Sequence, residues 1–424
     1  MGTTLALVLF SAGYLLIALE NVVHLNKSGV ALFTGVSLWA LAVLGLFGVP
    51  VEQEALTHHF GSVAQLMFFL LAAMAIVELI DTHHGFSWIQ QEIRTVNPRK
   101  LLWLVAFFTF FLSAVLDNLT TAIVMVTLLK KLLNSRNEQL FFAGFVVIAA
   151  NAGGAWSPIG DVTTIMLWNS GHISTLAIVS DTLVPSLLSL LIPLLWVSLW
   201  PPAELRGVLV REAPADSSSN PESKAILLAG VLLLLWVPLF KFLTHLPPFM
   251  GMLFSLSVLW LGTEILHRKK ADELKKHFSV SGVLQRIDTP SVLFFLGILL
   301  AVGSLEAIGA LQMLGEALAH TFPDFHYSNA FLGILSSVVD NVPLVAGVVG
   351  MYPLELYPSD HEFWTLLAFC AGTGGSLLII GSAAGVAAMG LLKIDFVWYL
   401  KRIAPLALLG YLAGVVSFMA MTMR

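Results

Sequence analysis

Ser113-Ala114-Val115-Leu116-Asp117-Asn118-Leu119-Thr120 returns in the second half of the chain as Ser336-Ser337-Val338-Val339-Asp340-Asn341-Val342-Pro343. Each copy sets an aspartate–asparagine pair in the middle of an apolar run. A second pair of motifs follows in the same order and at nearly the same offset: Gly153-Gly154 with Gly160, then Gly374-Gly375 with Gly381. One short match between glycine-rich apolar segments is commonplace. Two in register point to an internal duplication.

The rest of the chain says where these motifs sit. Of 424 residues, 58% are hydrophobic and 11% charged, and the mean hydropathy is +0.88. Soluble domains carry about 25% charged residues, so this composition excludes a soluble enzyme, a nucleic-acid binder and a disordered scaffold. It reads as an all-α polytopic membrane protein in a lipid bilayer. The net charge of −5 supplies no basic field for nucleic acid. The single cysteine, Cys370, makes neither an intrachain disulfide nor a cysteine metal site. The first apolar run lacks a basic leader and reads as a span, not a cleaved signal.

With about 20 apolar residues per crossing, spans are expected near 4–20, 28–48, 62–82, 174–200, 225–243, 249–266, 290–308 and 396–421. Regions 139–168 and 362–392 are broken by glycines at mid-length, and each reads as one crossing made of two half-helices. Regions 101–133 and 327–349 are broken at Asp117-Asn118 and Asp340-Asn341. Lys and Arg mark cytoplasmic loops. They flank 101–133 at both ends, whereas 327–349 has none at either end, and loops 49–61, 169–173, 309–326 and 350–361 have none at all. A segment whose ends share a side is a re-entrant hairpin. The expected topology is therefore about ten crossings plus two hairpins of opposite orientation, an inverted repeat, with both termini outside. By this reading residues 1–61 are scaffold helices, 62–200 the first repeat, 201–224 a Pro- and Ser-rich cytoplasmic linker, 225–289 scaffold helices with a basic interfacial segment, and 290–424 the second repeat. Inverted repeats with broken helices are the build of secondary transporters, whose substrate binds where the breaks meet.

A charge inside the bilayer is costly and marks function by default. Asp117, Asp161 and Asp340 all fall at the breaks, with no Lys or Arg at comparable depth in the sequence. A carboxylate-rich site of hard oxygens suits a hard cation and repels an anion. Ser113 and Ser336 lie four residues before Asp117 and Asp340, on the same helical face. Asn118 and Asn341 sit at the hairpin tips; Asn151 precedes the first glycine pair. Thr163 and Thr164 follow Asp161, where an acid and hydroxyls can also simply cap the new half-helix. The second broken helix keeps hydroxyls, Ser376 and Ser382, but has Ser382 where the first has Asp161, so the acid is concentrated in the first half. Where a proton and a cation compete for the same shielded carboxylate, binding one expels the other, and alternating access then yields antiport. Glu20, Glu78 and Asp81 end apolar spans; they read as interfacial charges in water, or as a proton access path or pH sensor. The histidines near span ends, among them His83, His84 and His172, read as interfacial residues that could tune a pH response. Nothing in the chain calls for a cofactor.

At Asn151-Ala152-Gly153-Gly154-Ala155-Trp156-Ser157-Pro158-Ile159-Gly160-Asp161-Val162-Thr163-Thr164, together with the two Asp-Asn motifs, the chain resembles the NhaD-type sodium/proton antiporters of the ion transporter superfamily, which also holds arsenite permeases and dicarboxylate carriers. The resemblance covers almost the whole chain. It implies a bacterial inner-membrane homodimer that exports Na⁺ or Li⁺ in exchange for protons, its transport unit moving elevator-like against a scaffold. It places the family's functional residues on Ser113, Asp117, Asn118, Asn151, Asp161, Thr163, Thr164, Ser336 and Asn341, and in looser register on Ser376 and Ser382. The dicarboxylate carriers have Ser-Asn-Thr at the hairpin tips. Asp-Asn in this chain argues against an organic anion. An arsenite or other oxyanion exporter remains the alternative within the superfamily. An intramembrane hydrolase using Asp117 and Asp340 would leave the repeated serines, asparagines and glycine breaks unexplained. A channel is compatible with opposed hairpins.

Overall fold

Residues 2–18, 23–48, 51–85, 95–206, 221–268, 280–338 and 340–422 are described by a computed structural model, and among them there is no strand. The chain opens with α1 (Gly2–Ala18) and α2 (Lys27–Val43), the latter capped by Asn26, whose side chain accepts the Ser28 N–H. α3 (Gln53–Thr82) is 30 residues long. α4 (Pro98–Leu116) starts with a proline at its first turn, where a missing N–H costs nothing. Asn97 caps that turn by accepting the Arg99 and Lys100 amides. α4 stops at Asp117, whose φ of 79° cannot continue a right-handed helix, and α5 (Asn118–Leu132) restarts at once. Next come α6 (Arg136–Ala155), the short α7 (Val162–Asn169) and α8 (Thr175–Leu199).

The second half begins with α9 (Pro221–Thr244), α10 (Pro248–His267) and the single-turn α11 (Val280–Leu284). It continues through α12 (Thr289–Ala307), α13 (Ala310–Thr321), α14 (Phe325–Leu335) and α15 (Asn341–Met351). α16 (Glu362–Gly374), α17 (Ala383–Leu392), α18 (Phe396–Arg402) and α19 (Ala404–Thr422) close the chain. Among the described residues eight helices are long and apolar enough to cross a membrane: α3, α4, α6, α8, α9, α10, α12 and α19. A ninth is counted if α17 and α18, bent by 118°, form one span. Side chains such as Phe33, Leu176, Phe242 and Ile265 stand largely exposed on the exterior, a surface that suits lipid and not water.

α12 lies along α2 and α3, with α10 and α9 on α3 and α1 on α2. A second body of helices forms around α6 and α16: α4, α5 and α17 pack on α6, α14 and α15 pack on α16, and α8 and α19 pair beside them. The arms α4 and α5 also pack on each other. Two glycines allow close approaches within this body. A Cβ on Gly153 would stand 2.1 Å from the Phe110 carbonyl oxygen, and one on Gly374 would stand 1.9 Å from that of Gly333. The same helix pairs are tied by matching bonds, Ser113 Oγ to Ala150 O at 2.6 Å and Ser336 Oγ to Ala371 O at 2.9 Å. The Lys- and Arg-free loops 169–173 and 350–361 meet: Ser359 Oγ donates to Gly171 O, and the Asp360 N–H donates to His172 O.

Several boundaries differ from the sequence reading. The run 396–421 is two helices, because Pro405 can neither donate to nor fit behind the preceding turn, so α18 ends at Arg402. Loop 309–326 contains the amphipathic α13, too short and too polar to register as a span. α3 begins at Gln53, well before residue 62. Most of the linker and the basic part of 267–289 lie outside the described residues.

Candidate functional site

α6 ends at Ala155, Gly160 lies in the break that follows, and Asp161 (φ −143°, ψ 147°) stands as N-cap of α7. Its Oδ1 accepts the Thr163 N–H and the Thr163 hydroxyl, both at 2.9 Å. Thr164 Oγ1 donates to the Asp161 carbonyl oxygen at 2.8 Å and accepts its N–H at 3.2 Å, completing a capping box. Capping alone would use the carboxylate on one side. Here the other side is also occupied. Asn118 Nδ2, from the first turn of α5, donates to Asp161 Oδ2 at 2.5 Å, and Asn341 Nδ2, from the first turn of α15, donates to both oxygens at 3.3 and 3.4 Å.

Asn151 extends the network across the second broken helix. It accepts from Asn118 Nδ2 at 3.1 Å and donates to Ser376 Oγ at 2.9 Å and Ser382 Oγ at 2.8 Å. Ser382 is N-cap of α17 with φ −144° and ψ 154°, the backbone of Asp161 repeated in the other half. Asp161, Asn118, Asn151, Asn341, Thr163, Ser376 and Ser382 are all buried, Asp161 to 1% exposure. The cluster joins both interrupted helices to the first turns of α5 and α15. Its donor atoms are one carboxylate, amide oxygens and hydroxyls, a hard-oxygen set suited to an alkali cation as substrate. Rotating the Asn118 or Asn341 amide by half a turn would present an oxygen instead of an N–H toward Asp161.

The other candidate residues lie around this cluster in different ways. Asp117 and Asp340 are half-buried. Asp117 accepts the Thr120 N–H at 2.8 Å and the Thr120 hydroxyl at 2.9 Å, and is in electrostatic range of Asp161. Asp340 is also in range of Asp161; its N–H donates to Tyr14 Oη at 2.7 Å, and its carboxylate accepts the Val342 N–H. Lys27 stands within electrostatic reach of Asp340, a basic neighbour that the sequence reading does not supply. Ser113 and Ser336 turn from the adjacent aspartates to the carbonyls of α6 and α16, since a buried hydroxyl needs an acceptor. Glu78 is grouped with Thr82 (3.5 Å) and Arg286 (4.0 Å) at the end of α3, with Asp81 nearby. Glu20 lies outside the described residues.

The sequence reading does not single out Tyr14 or Thr120. Tyr14 carries a signal, a tyrosine near mid-length of an apolar run, where an interfacial anchor does not belong.

A helical polytopic protein with interrupted helices closing on a buried carboxylate has the build of a secondary transporter. Residues 14–366 match the family described as citrate transporter (CitMHS). "Sodium/proton antiporter 1" of Arabidopsis thaliana is 46% identical over 412 residues, covering 97% of this chain and 71% of that protein. "Sodium/proton antiporter 2" of the same plant is 44% identical over 416 residues, covering 97% and 98%. "Na(+)/H(+) antiporter NhaD" of Vibrio cholerae is 34% identical over 444 residues, covering 97% and 90%. The chain belongs to the NhaD-type sodium/proton antiporters within that family. It is a membrane transporter and not an enzyme.

Proposed function

We propose that this protein exchanges Na⁺, and Li⁺, for protons, the cation and the proton competing for the buried aspartates. The observation that carries the reading is Asp161, a buried carboxylate bonded at once by Asn118 and Asn341, one from each Asp-Asn motif. Loss of a proton from such a group leaves a charge that a cation of matching size neutralises. The Asn118 and Asn341 amides, once turned, supply oxygens to that cation, with Thr163, Asn151, Ser376 and Ser382 completing the shell. Asp117 and Asp340 flank it as secondary proton or cation sites. Relatives named for sodium/proton antiport in a plant and in bacteria support the choice of ions.

We further assign the two Asp-Asn segments to re-entrant hairpins of an inverted repeat; the paired serine bonds and glycine contacts at matching positions support this. The helices around α6 and α16 form a transport unit that moves elevator-like against the body around α12, and the chain works as a homodimer in the cell inner membrane with both termini outside.

The test is transport in everted vesicles holding a pH gradient, challenged with Na⁺, Li⁺, K⁺, arsenite and citrate between about pH 7 and 9. Gradient release by Na⁺ or Li⁺ that vanishes in Asp161→Asn and Asp117→Asn supports the reading. Release by arsenite or citrate alone, or full activity in both variants, overturns it.

A further inference from the structure

Away from the aspartates, three helix ends converge on a second cluster. His83 follows the last turn of α3, Glu222 stands in the first turn of α9, and His267 ends α10. Each offers one ligand atom, and these atoms all lie within 4.8 Å of one another. His83 and His267 are buried, and Glu222 is half-buried. His267 Nε2 and Glu222 Oε1 are 2.7 Å apart, and the two imidazoles lie parallel with centroids 4.9 Å apart. We propose that His83, Glu222 and His267 form a site for a divalent transition-metal ion of the Zn²⁺ and Co²⁺ class, which clamps the ends of α3, α9 and α10 together.

The chemistry fits that class. Two imidazole nitrogens and one carboxylate oxygen suit Zn²⁺, Co²⁺ or Ni²⁺, whereas Na⁺, Mg²⁺ and Ca²⁺ favour all-oxygen shells. His83 Nδ1 is 2.7 Å from the Leu79 carbonyl oxygen. That bond puts the proton on Nδ1 and the lone pair on Nε2, the tautomer of a metal-ligating histidine whose other nitrogen is held by a backbone carbonyl. Tetrahedral bonds of about 2.1 Å need ligand atoms about 3.4 Å apart, so side-chain shifts of roughly 1 Å close the set. Three protein ligands leave a fourth position for water. Among the described residues, Glu78 and Asp81 stand on the last turns of α3 before His83, and Arg286 lies against Thr82 and Glu78. His83 comes from the first half of the chain, whereas Glu222 lies at the start of α9 and His267 at the end of α10, which meet in space. A bound ion would therefore join three stretches that are separate in sequence.

The test uses the full chain, purified in detergent, stripped with EDTA and titrated with CoCl₂ while d–d absorption is followed in the visible. One equivalent of Co²⁺ with tetrahedral-type bands, displaced by Zn²⁺, is expected. His267→Gln and Glu222→Gln should each weaken Co²⁺ binding at least tenfold, while His84→Gln, changing the exposed neighbour, should bind as wild type does. Glu222→Gln keeps a hydrogen-bonding group toward His267, so its size-exclusion profile should match wild type. Wild-type protein that produces no bands, or bands undiminished in both Gln variants of the proposed ligands, overturns the assignment. So does equal loss in His84→Gln.

Discussion

Replacing Gly153 by alanine tests the helix contact that holds the first broken helix in place. The new Cβ would fall 2.1 Å from the Phe110 carbonyl oxygen, where real Cβ atoms essentially never come under 3.0 Å. The obstacle is backbone, so α4 and α6 must part by about 0.9 Å, the difference between those distances. Overpacking of this kind costs about 1–3 kcal/mol. The same movement stretches the Ser113–Ala150 bond from 2.6 Å to about 3.5 Å, and losing it removes about 1 kcal/mol more. Alanine's better helix propensity returns up to about 1 kcal/mol. A net loss of about 1–3 kcal/mol is expected. Gly29→Ala is the control, because its Cβ meets nothing within 4 Å; it should gain a few tenths to about 1 kcal/mol. The assay is unfolding in mixed micelles titrated with SDS, followed by helical circular dichroism. Gly374→Ala, whose Cβ would stand 1.9 Å from Gly333 O, should behave as Gly153→Ala does. If Gly153→Ala proves as stable as Gly29→Ala, the packing argument for these glycines is wrong.

Other outcomes follow from the same geometry. Asn151→Leu removes the donor shared by Ser376 and Ser382 and the acceptor of Asn118; it should cost about 2 kcal/mol in the SDS assay and weaken Na⁺-driven gradient release. Tyr14→Phe removes the acceptor of the Asp340 N–H and should slow transport while leaving the folded fraction nearly unchanged, which parallel transport and size-exclusion measurements check. In the loop after α7, burial pushes the His172 imidazole down to about 4 from an ordinary 6.5. The folded state holds this ring neutral while the unfolded chain takes up a proton below 6.5. Its stabilising contribution is therefore complete above that pH and is lost progressively down to about pH 4, up to about 3 kcal/mol. Unfolding curves across that window should fall more steeply for wild type than for His172→Gln, and parallel curves would contradict the assignment.

The helical polytopic fold was legible because the bilayer demands long apolar runs and internally satisfied backbone, and both leave plain marks in sequence. The breaks were legible for a similar reason: Asp117, Gly153-Gly154, Gly160 and Gly374-Gly375 are residues that apolar helices avoid unless the backbone must turn or approach closely. Distances between elements were not legible. Tyr14, in the first helix, meets Asp340 in the second half of the chain, and Lys27 reaches the same group from the start of α2. Nothing in local pattern encodes such meetings. Ser113 and Ser336 show the limit of face arguments. Four-residue spacing aligns them with Asp117 and Asp340, yet their hydroxyls turn to carbonyls on neighbouring helices, because satisfying a buried donor outweighs local adjacency. α13 leaves little trace in the sequence because its amphipathic pattern spans only 12 residues. The meeting of His83, Glu222 and His267 is equally hidden, since their convergence depends on how α3, α9 and α10 end.

The competition at Asp161 is the centre of the functional account, and calorimetry can address it directly. Na⁺ binding to the purified protein, measured near pH 8 in two buffers of different ionisation enthalpy, reports the protons released for each ion bound. Release of protons on Na⁺ binding, abolished together with the binding in Asp161→Asn, is the predicted result. Na⁺ binding without proton release, or release that persists in Asp161→Asn, would contradict it.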